Sequence, residues 1–401
     1  MANQQPRLLV FSSLYPSSVR PMAGLFIRER MTRVAEHCPI VVVSPVPWFP
    51  LQGLIRLWRP GYRPQPPRFE MHNGVTVHFP RFLSLPGIGR SCDGFAMALC
   101  SAWTCFKLKK LFCFNLIDAH FAYPDGYAAT RLGQWLRVPV VITLRGTEVP
   151  LSRSERRRDL MLKALASAAR VVSVSQSLKN YVVGLGADGA KITVVGNGVD
   201  LDKFTAIDKV LARQRLGLPM QAPVLVSVGG LVERKGFHRV IDALPALVQR
   251  HADLVYLIVG GASPEGDIRR QLEQQVATLG LENHVRFLGA YPSEDLKTPL
   301  SAADVFVLAT ANEGWANVFL EAMACGLPVV TTDVGGNREV VSHADLGLIV
   351  PFGDQSALTS AIGQALATSW DRQRIMAYAA DNAWDKRVSL LTQLFNTVVN
   401  P

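Results

Sequence analysis

Short β-rich runs recur along this chain with room for one helix between neighbours, and that cadence limits the fold more than any other feature. One series comprises 8–11, 40–44, 138–143 and 171–174; a second comprises 224–228, 254–259, 285–287, 305–308, 329–332 and 348–350. Helical patterns such as 236–250, 267–279 and 318–325 lie between them. Strands that are short and almost wholly apolar suit burial on both faces, which is what a parallel sheet with helical crossovers provides. The expected fold class is therefore α/β, with two Rossmann-like domains in tandem. A chain of 401 residues also exceeds one hydrophobic core. The divide is expected within 200–222, giving a first domain over 1–200, a second over 201–370, and a helical segment over 371–401 suited to crossing back to the first.

Hydrophobic residues make up 49% of the chain, with 31 Gly and 25 Pro dispersed between the apolar runs, which excludes disorder and fits an α/β protein with many tight turns. The six cysteines form no CxxC pair and no zinc-like spacing with histidine, so they read as mostly buried thiols of a reducing compartment. The run 8–11 is too short for a secretory signal, and the apolar stretch 94–117 is broken by Lys107, Lys109 and Lys110. A cytoplasmic protein is the expectation. The net charge of +10 comes without any nucleic-acid-binding motif, so an anionic substrate or the anionic inner membrane face suits it better than nucleic acid. Within 48–86 prolines, among them Pro50, Pro60, Pro64, Pro66 and Pro67, stand among Trp48, Phe49, Leu57, Trp58 and several arginines. Regular structure should be interrupted there, and an apolar, cationic loop could meet a lipid-linked acceptor or a membrane surface. The stretch 94–114 reads as a crossover helix, with an interfacial helix as the alternative.

In open parallel sheets ligands bind beyond the carboxyl ends of the strands, so the loops there are the places to look for chemistry. Gly24 precedes a helical pattern, and backbone amides at such an entrance can approach an anion. His120 follows the run 116–118 and could hydrogen-bond a sugar hydroxyl or stabilise developing charge. Arg145 and Glu148 follow another strand, where the guanidinium could hold a substrate oxygen or a structural carboxylate. The segment SVGGLVERKGF places Gly229 and Gly230 just after a strand and then supplies Arg234 and Lys235. Close backbone approach with a cation suits a diphosphate, against the alternative of a solvated Arg-Lys pair. In EGWANVFLEAMACGLPVV, the amides of Asn317 and Val318 open a helix and can meet phosphate oxygens. Glu321, one turn further on, can accept the hydroxyls of a ribose diol, and Glu313 stays in the loop to face the sugar. No compact acid and histidine triad calls for a metal.

These segments, with YPSS, PMAGLFIRERM, GNGVDLDKF and EGWANVFLEAMACGLPVVTTDVGG, resemble the retaining glycosyltransferases of family 4 over nearly the whole chain. The resemblance implies the GT-B fold, in which two Rossmann-like domains face each other across a cleft. It further implies that Lys235 contacts donor phosphate, Glu321 binds donor ribose, Glu313 lies close to the transferred sugar, His120 lies near the donor sugar, and Gly24 belongs to the loop at the cleft. The implied activity is a hexosyltransferase-class transfer from a nucleotide diphosphate sugar to an acceptor hydroxyl with retention. His120, Lys235 and Glu313 would act in catalysis, with no obligatory metal and no cofactor besides the donor. Similarity to transferases of bacterial cell-surface polysaccharide assembly, teichuronic-acid-type enzymes included, implies a lipid-linked saccharide acceptor at the cytoplasmic membrane face. Many members carry an arginine in a GRL segment where this chain has Gly229, Gly230 and Leu231, so Arg234, another cation or more backbone donors must serve instead. A nucleotide-sugar epimerase on the same architecture and a noncatalytic carbohydrate-recognition protein are the competing readings.

Overall fold

The computed structural model describes residues 4–401 other than Pro60, Ile88 and Pro264. Pro60, one of the prolines named above, thus lies outside the described residues. The chain divides into two compact units, Met1–Asn197 with Arg387–Pro401, and Gly198–Lys386. The last helix, Trp384–Val399, begins in the second unit and continues in the first. Asn400 seals that return by donating to the Gln4 carbonyl at 3.0 Å and accepting from the Gln4 amide at 2.9 Å. Residues 371–386 group with the second unit.

The first unit contains β1 (Leu8–Phe11), β2 (Ile40–Val43), β3 (Val46–Trp48), β4 (Phe69–His72), β5 (Val75–His78), β6 (Arg81–Leu83), β7 (Leu116–His120), β8 (Val140–Leu144), β9 (Arg170–Ser173) and β10 (Ile192–Val194). Eight of them form one sheet in the order β10-β9-β8-β7-β1-β2-β5-β4. Every residue of β1, β2, β7 and β8 is buried, as suits the apolar runs of β1 and β2, while β7 carries Asp118 and His120 and β8 carries Thr143 into the interior. Only the edge strand β4 runs antiparallel to its neighbour.

The proline-rich stretch holds more regular structure than its composition suggests. A helix spans Gln52–Trp58, β4 and β5 form a hairpin, and β3 pairs in parallel with β6 as a separate ribbon. Asn73 and Gly74 both have positive φ, 48° and 78°, the conformation of a two-residue hairpin turn that Asn-Gly favours. The described prolines fall outside these elements, except Pro47 within β3. The cysteines also depart from expectation. Cys38, Cys105 and Cys325 are buried, but Cys92, Cys100 and Cys113 are exposed, because the helix Asp93–Leu111 turns its Cys100 face outward and the other two sit at its flanks.

The second unit contains β11 (Val224–Val228), β12 (Val255–Val259), β13 (Val285–Gly289), β14 (Val305–Leu308), β15 (Val329–Thr332) and β16 (Gly347–Val350), ordered β13-β12-β11-β14-β15-β16 and all parallel. Alternation along each strand splits the core between two faces. Val224, Val226, Leu257, Phe306 and Leu308 pack on one side, while Leu225, Tyr256, Ile258, Val305 and Val307 pack on the other. Helices cover both, Phe319 and Met323 from Asn317–Ala324 on the first face, Phe237 and Leu244 from Phe237–Val248 on the second. Among the described residues no helix is long and apolar enough to cross a membrane.

Candidate functional site

In the second unit the strand order reverses between β11 and β14, so connections leave these neighbours in opposite directions and open a crevice at their carboxyl ends. The loop after β11 carries Gly229 and Gly230, then a single 3-10 turn, Glu233–Lys235, that ends at Gly236 before the helix Phe237–Val248. The Lys235 stem lies over Gly229, its Cε about as far as an added methyl would allow, at 3.6 Å. The loop after β14 runs from Thr310 to Ala316 and feeds the helix Asn317–Ala324. The Ala311 amide ties the loops together by donating to the Arg234 carbonyl at 2.8 Å, and the single proton of the Thr310 hydroxyl has that carbonyl at 3.1 Å and Glu313 Oε1 at 3.2 Å as alternative acceptors.

Glu313 stands where the loops meet, with only 9% of its surface exposed. Its Oε1 accepts from Lys235 Nζ at 2.6 Å, Thr310 Oγ1 at 3.2 Å and Arg234 Nη1 at 3.3 Å. Arg234 spreads the rest of its fork over Glu265, at 2.7 and 3.0 Å, and the Asn312 carbonyl at 2.9 Å. The two-pronged bond to Glu265 raises the pKa of Arg234, and the same guanidinium lowers that of Glu265. Two cations thus face two carboxylates. Asn317, Val318 and Glu321 are half-buried on the following helix, whose core face is formed by Phe319, Leu320, Ala322 and Met323. Spacing of four residues puts Asn317 and Glu321 on one side of it.

A third loop, after β15, fixes the main chain of Glu313. Gly335 has φ 52°, and a Cβ there would stand 1.8 Å from the Glu313 carbonyl oxygen, which also accepts from the Gly336 amide at 3.1 Å. This glycine stands in TTDVGG, and the signal for its task is a GG pair two residues past the end of a buried strand.

The first unit repeats the arrangement with different chemistry. Its strand order reverses between β1 and β7; Gly24 lies in the loop after β1, and His120 is the last residue of β7 itself rather than a loop residue. Gly24 has φ 69° and lies so close to Leu14 that a Cβ would stand 2.2 Å from its carbonyl oxygen. His120 is fully buried. Arg145 Nη2 is 3.0 Å from its Nδ1; because a guanidinium can only donate, Nδ1 accepts and the ring proton sits on Nε2, which faces Asp118 Oδ2 at 3.5 Å. Burial, then the charges of Arg145 and Arg30, hold the His120 pKa well below the usual histidine range, so the ring is neutral. Arg145 also donates to Asn197 Oδ1 at 2.7 Å, and Arg30 meets the same oxygen at 2.9 Å. Glu148 accepts from the amides of Arg145, Gly146 and Ala122, so it braces the loop backbone. Asp118, Arg30, Asn197 and Asp125 were not foreseen as site residues. Gly24 and His120 thus lie in one unit, and Gly229, Gly230, Arg234, Lys235, Glu313, Asn317, Val318 and Glu321 in the other.

Asp125 joins the two loops of the first unit by accepting from the Ser13 amide and, at 3.1 Å, from its hydroxyl. Burial pushes its carboxyl up to about 7, outweighing the Ser13 bonds. A folded-state pKa above the unfolded one means that the native state holds the proton more tightly, so this group's contribution to stability is present at low pH, is lost as pH rises from the ordinary carboxylate range through about 7, and levels off above that. Asp125→Asn keeps an acceptor for the Ser13 amide. Between pH 6 and 8.5 it is expected to remove about 1 to 2 kcal/mol of the wild-type stability loss. Urea unfolding at the two pH values checks this, and an unchanged pH slope would refute it.

Comparison with known proteins follows the same division. Residues 51–203 match the family model described as Glycosyltransferase Family 4, and residues 208–382 match Glycosyl transferases group 1. The "Putative teichuronic acid biosynthesis glycosyltransferase TuaC" of Bacillus subtilis (strain 168) is 30% identical over 363 residues, 89% of this chain and 88% of that protein. A D-inositol 3-phosphate glycosyltransferase of Geodermatophilus obscurus is 30% identical over 357 residues, 82% of this chain and 77% of that one. Among solved structures, Anabaena Alr3699/HepE in complex with UDP superposes with a TM-score of 0.75 at 22% identity, covering 98% of this chain and all of that one, a likeness of fold.

Proposed function

We propose, from the premise that this chain belongs to the family 4 glycosyltransferases, that it transfers a sugar from a nucleotide diphosphate sugar to a saccharide acceptor hydroxyl with retention at the anomeric carbon. The observation that carries this reading is the Lys235 ammonium and the Glu313 carboxylate, 2.6 Å apart, brought from neighbouring strands to the crevice where the order of the second sheet reverses. A diphosphate leaving group needs a mobile cation and amide donors at that point, and Lys235 with the opening turn at Asn317 and Val318 supplies both. Gly229 and Gly230 leave room for the phosphates to approach the main chain, Glu321 takes the ribose hydroxyls, and Arg234 supplements the cationic charge. Glu313, released from Lys235 when donor binds, orients the transferred sugar. In the first unit, which serves the acceptor side, neutral His120 holds its buried Nε2 proton toward Asp118 and gives it to a sugar oxygen only once the ring is uncovered, and Gly24 shapes the loop next to it.

In this reading the acceptor oxygen forms the new bond on the face the diphosphate leaves, and a departing phosphate oxygen takes the acceptor proton. No obligatory metal enters. The relative named for teichuronic acid biosynthesis supports a saccharide acceptor in cell-surface polysaccharide assembly; this reading makes that acceptor lipid-linked, at the inner face of the cytoplasmic membrane. The Anabaena complex with UDP supports a nucleoside diphosphate donor.

The test is incubation of the full chain with individual nucleotide sugars, with and without membrane-extracted acceptors, reading nucleotide release and product linkage. Acceptor-dependent release with a retained anomer is expected. A changed sugar on the nucleotide without acceptor would assign an epimerase instead. Gly335→Ala, which pushes on the Glu313 main chain, is expected to lower turnover about tenfold or more, with the rest of the fold intact; unchanged turnover would free Glu313 from its proposed task.

A further inference from the structure

The helix Asp93–Leu111 is apolar on both sides. Met97, Ala98, Cys105 and Leu108 are buried, yet Phe95, Leu99, Trp103 and Phe106, on the opposite side, are 43–81% exposed. Spacings of four, four and three residues set these four in one outward row. A helix apolar all round belongs inside a protein or against a lipid phase. The short helix Gln52–Trp58 repeats the pattern, with Leu57 78% and Trp58 87% exposed. Of the twenty-five large apolar side chains exposed among the described residues, thirteen fall within 51–111, which makes the patch regional rather than scattered.

Topology brings the two helices to one side. β3 and β6 run parallel, with Trp48 paired to Leu83, so the chain leaves both strands at the same end of the ribbon, toward Gln52–Trp58 from one and Asp93–Leu111 from the other. The connection is fastened by Arg63, which donates to the Ser84 carbonyl at 2.6 Å, and by Arg56, which donates to the Arg63 carbonyl at 2.7 Å.

The charge of the same segment is one-sided. Residues 51–111 contain nine lysines and arginines against Glu70 and Asp93. Among the described residues none of the nine is ion-paired, and Arg56, Arg68 and Arg81 repel one another closely enough to lower the pKa of Arg81 beyond the effect of its burial. Lys107 and Lys110 are exposed at the end of the apolar row. Protein partners with an apolar patch of this kind would need a matching acidic rim; a bilayer carrying anionic headgroups meets both demands at once.

We infer that the outward faces of Asp93–Leu111 and Gln52–Trp58 form a docking surface for an anionic lipid bilayer, with the aromatic and leucine side chains entering the headgroup boundary and the surrounding lysines and arginines on the phosphates. The surface lies on the membrane and does not cross it. It rests on the glycosyl-transfer reading only for its purpose, which would be to hold the enzyme beside a lipid-linked acceptor, and donor-free binding to vesicles tests it separately from transfer.

The full chain is to be sedimented with phosphatidylcholine vesicles and with vesicles containing about one third phosphatidylglycerol, at low and high salt. Binding to the anionic vesicles that weakens with salt is expected, with neutral vesicles at least about tenfold weaker. Trp58→Ser with Trp103→Ser, and separately Lys107→Glu with Lys110→Glu, are each expected to weaken binding by about tenfold or more, since one charge near the surface is worth about fivefold. Both pairs are exposed, and nucleoside diphosphate binding, which the second unit would carry, should be unchanged. Failure to bind anionic vesicles, or equal binding by the wild type and both variants, would overturn the inference. So would a wild-type dimer that ignores vesicles and falls apart on Trp58→Ser with Trp103→Ser, since the face would then be covered by a second copy.

Discussion

Lys235→Ala is expected to lower turnover by about 10²–10³-fold and to weaken nucleoside diphosphate binding, in a chain that still folds. Folding survives because Glu313 keeps two of its three partners on Oε1, Thr310 at 3.2 Å and Arg234 at 3.3 Å, so no buried carboxylate is stranded. Glu313→Ala should behave differently. It frees the ammonium that an incoming diphosphate otherwise has to draw off an acid at 2.6 Å. Nucleoside diphosphate affinity is therefore expected to hold or rise while turnover falls by a similar factor, whereas Glu321→Ala should chiefly raise the dissociation constant. Calorimetric titration with nucleoside diphosphates, steady-state kinetics and thermal melts on the purified variants separate the three patterns. Wild-type turnover in both Lys235→Ala and Glu313→Ala would remove the site from this crevice. Parallel loss of affinity in both would mean that Glu313 holds Lys235 in place for the ligand rather than competing with it.

The same crevice shows how far sequence carries. β11, β12, β14 and β15 are apolar runs because helices cover both faces of their sheet, and that alone makes them legible. Lys235 and Glu313 were visible because glycines and a helix entrance flank them at short range. Their contact was not, since it joins positions 78 residues apart through the order of the strands. Arg234 looked like a spare phosphate ligand, yet its fork is spread over Glu265 and the Asn312 carbonyl, partners that no local spacing announces. The hairpin of β4 and β5 was hidden by the surrounding prolines, although Asn73-Gly74 stated its turn directly. In the first unit His120 stood out as a histidine after a strand. What sets its proton, Arg145 on one nitrogen and Asp118 near the other, depends on β7 and β8 lying side by side.

Arg30 shows the same dependence on distant partners most sharply, and it supports the largest stability prediction. Its helix, Leu25–Ala35, follows the Gly24 entrance, and its side chain is only 1% exposed. Nη2 donates to Asn197 Oδ1 at 2.9 Å and to the Val195 carbonyl at 3.2 Å, 165 residues away along the chain. Burial lowers its pKa to about 10, with Asp118 opposing the shift, so the guanidinium is still charged at neutral pH and depends on those acceptors. Arg30→Ala removes the bonds, opens a cavity and leaves Asp118 with one fewer compensating cation. The expected loss is about 3 to 5 kcal/mol, or roughly 10 °C in the melting of the first unit. Arg30→Met fills the space without the charge and should recover part of that loss; Arg30→Lys, a point charge where a fork is needed, should recover less. Because two units unfold, hydrogen exchange read on first-unit peptides is the fitting measurement, with second-unit peptides as the internal control. Asn197 Oδ1 retains its bond from Arg145 at 2.7 Å in all three variants, so transfer should fall less than stability does. A variant that melts like the wild type would show that this buried charge is not what fastens the end of the first unit to its helix.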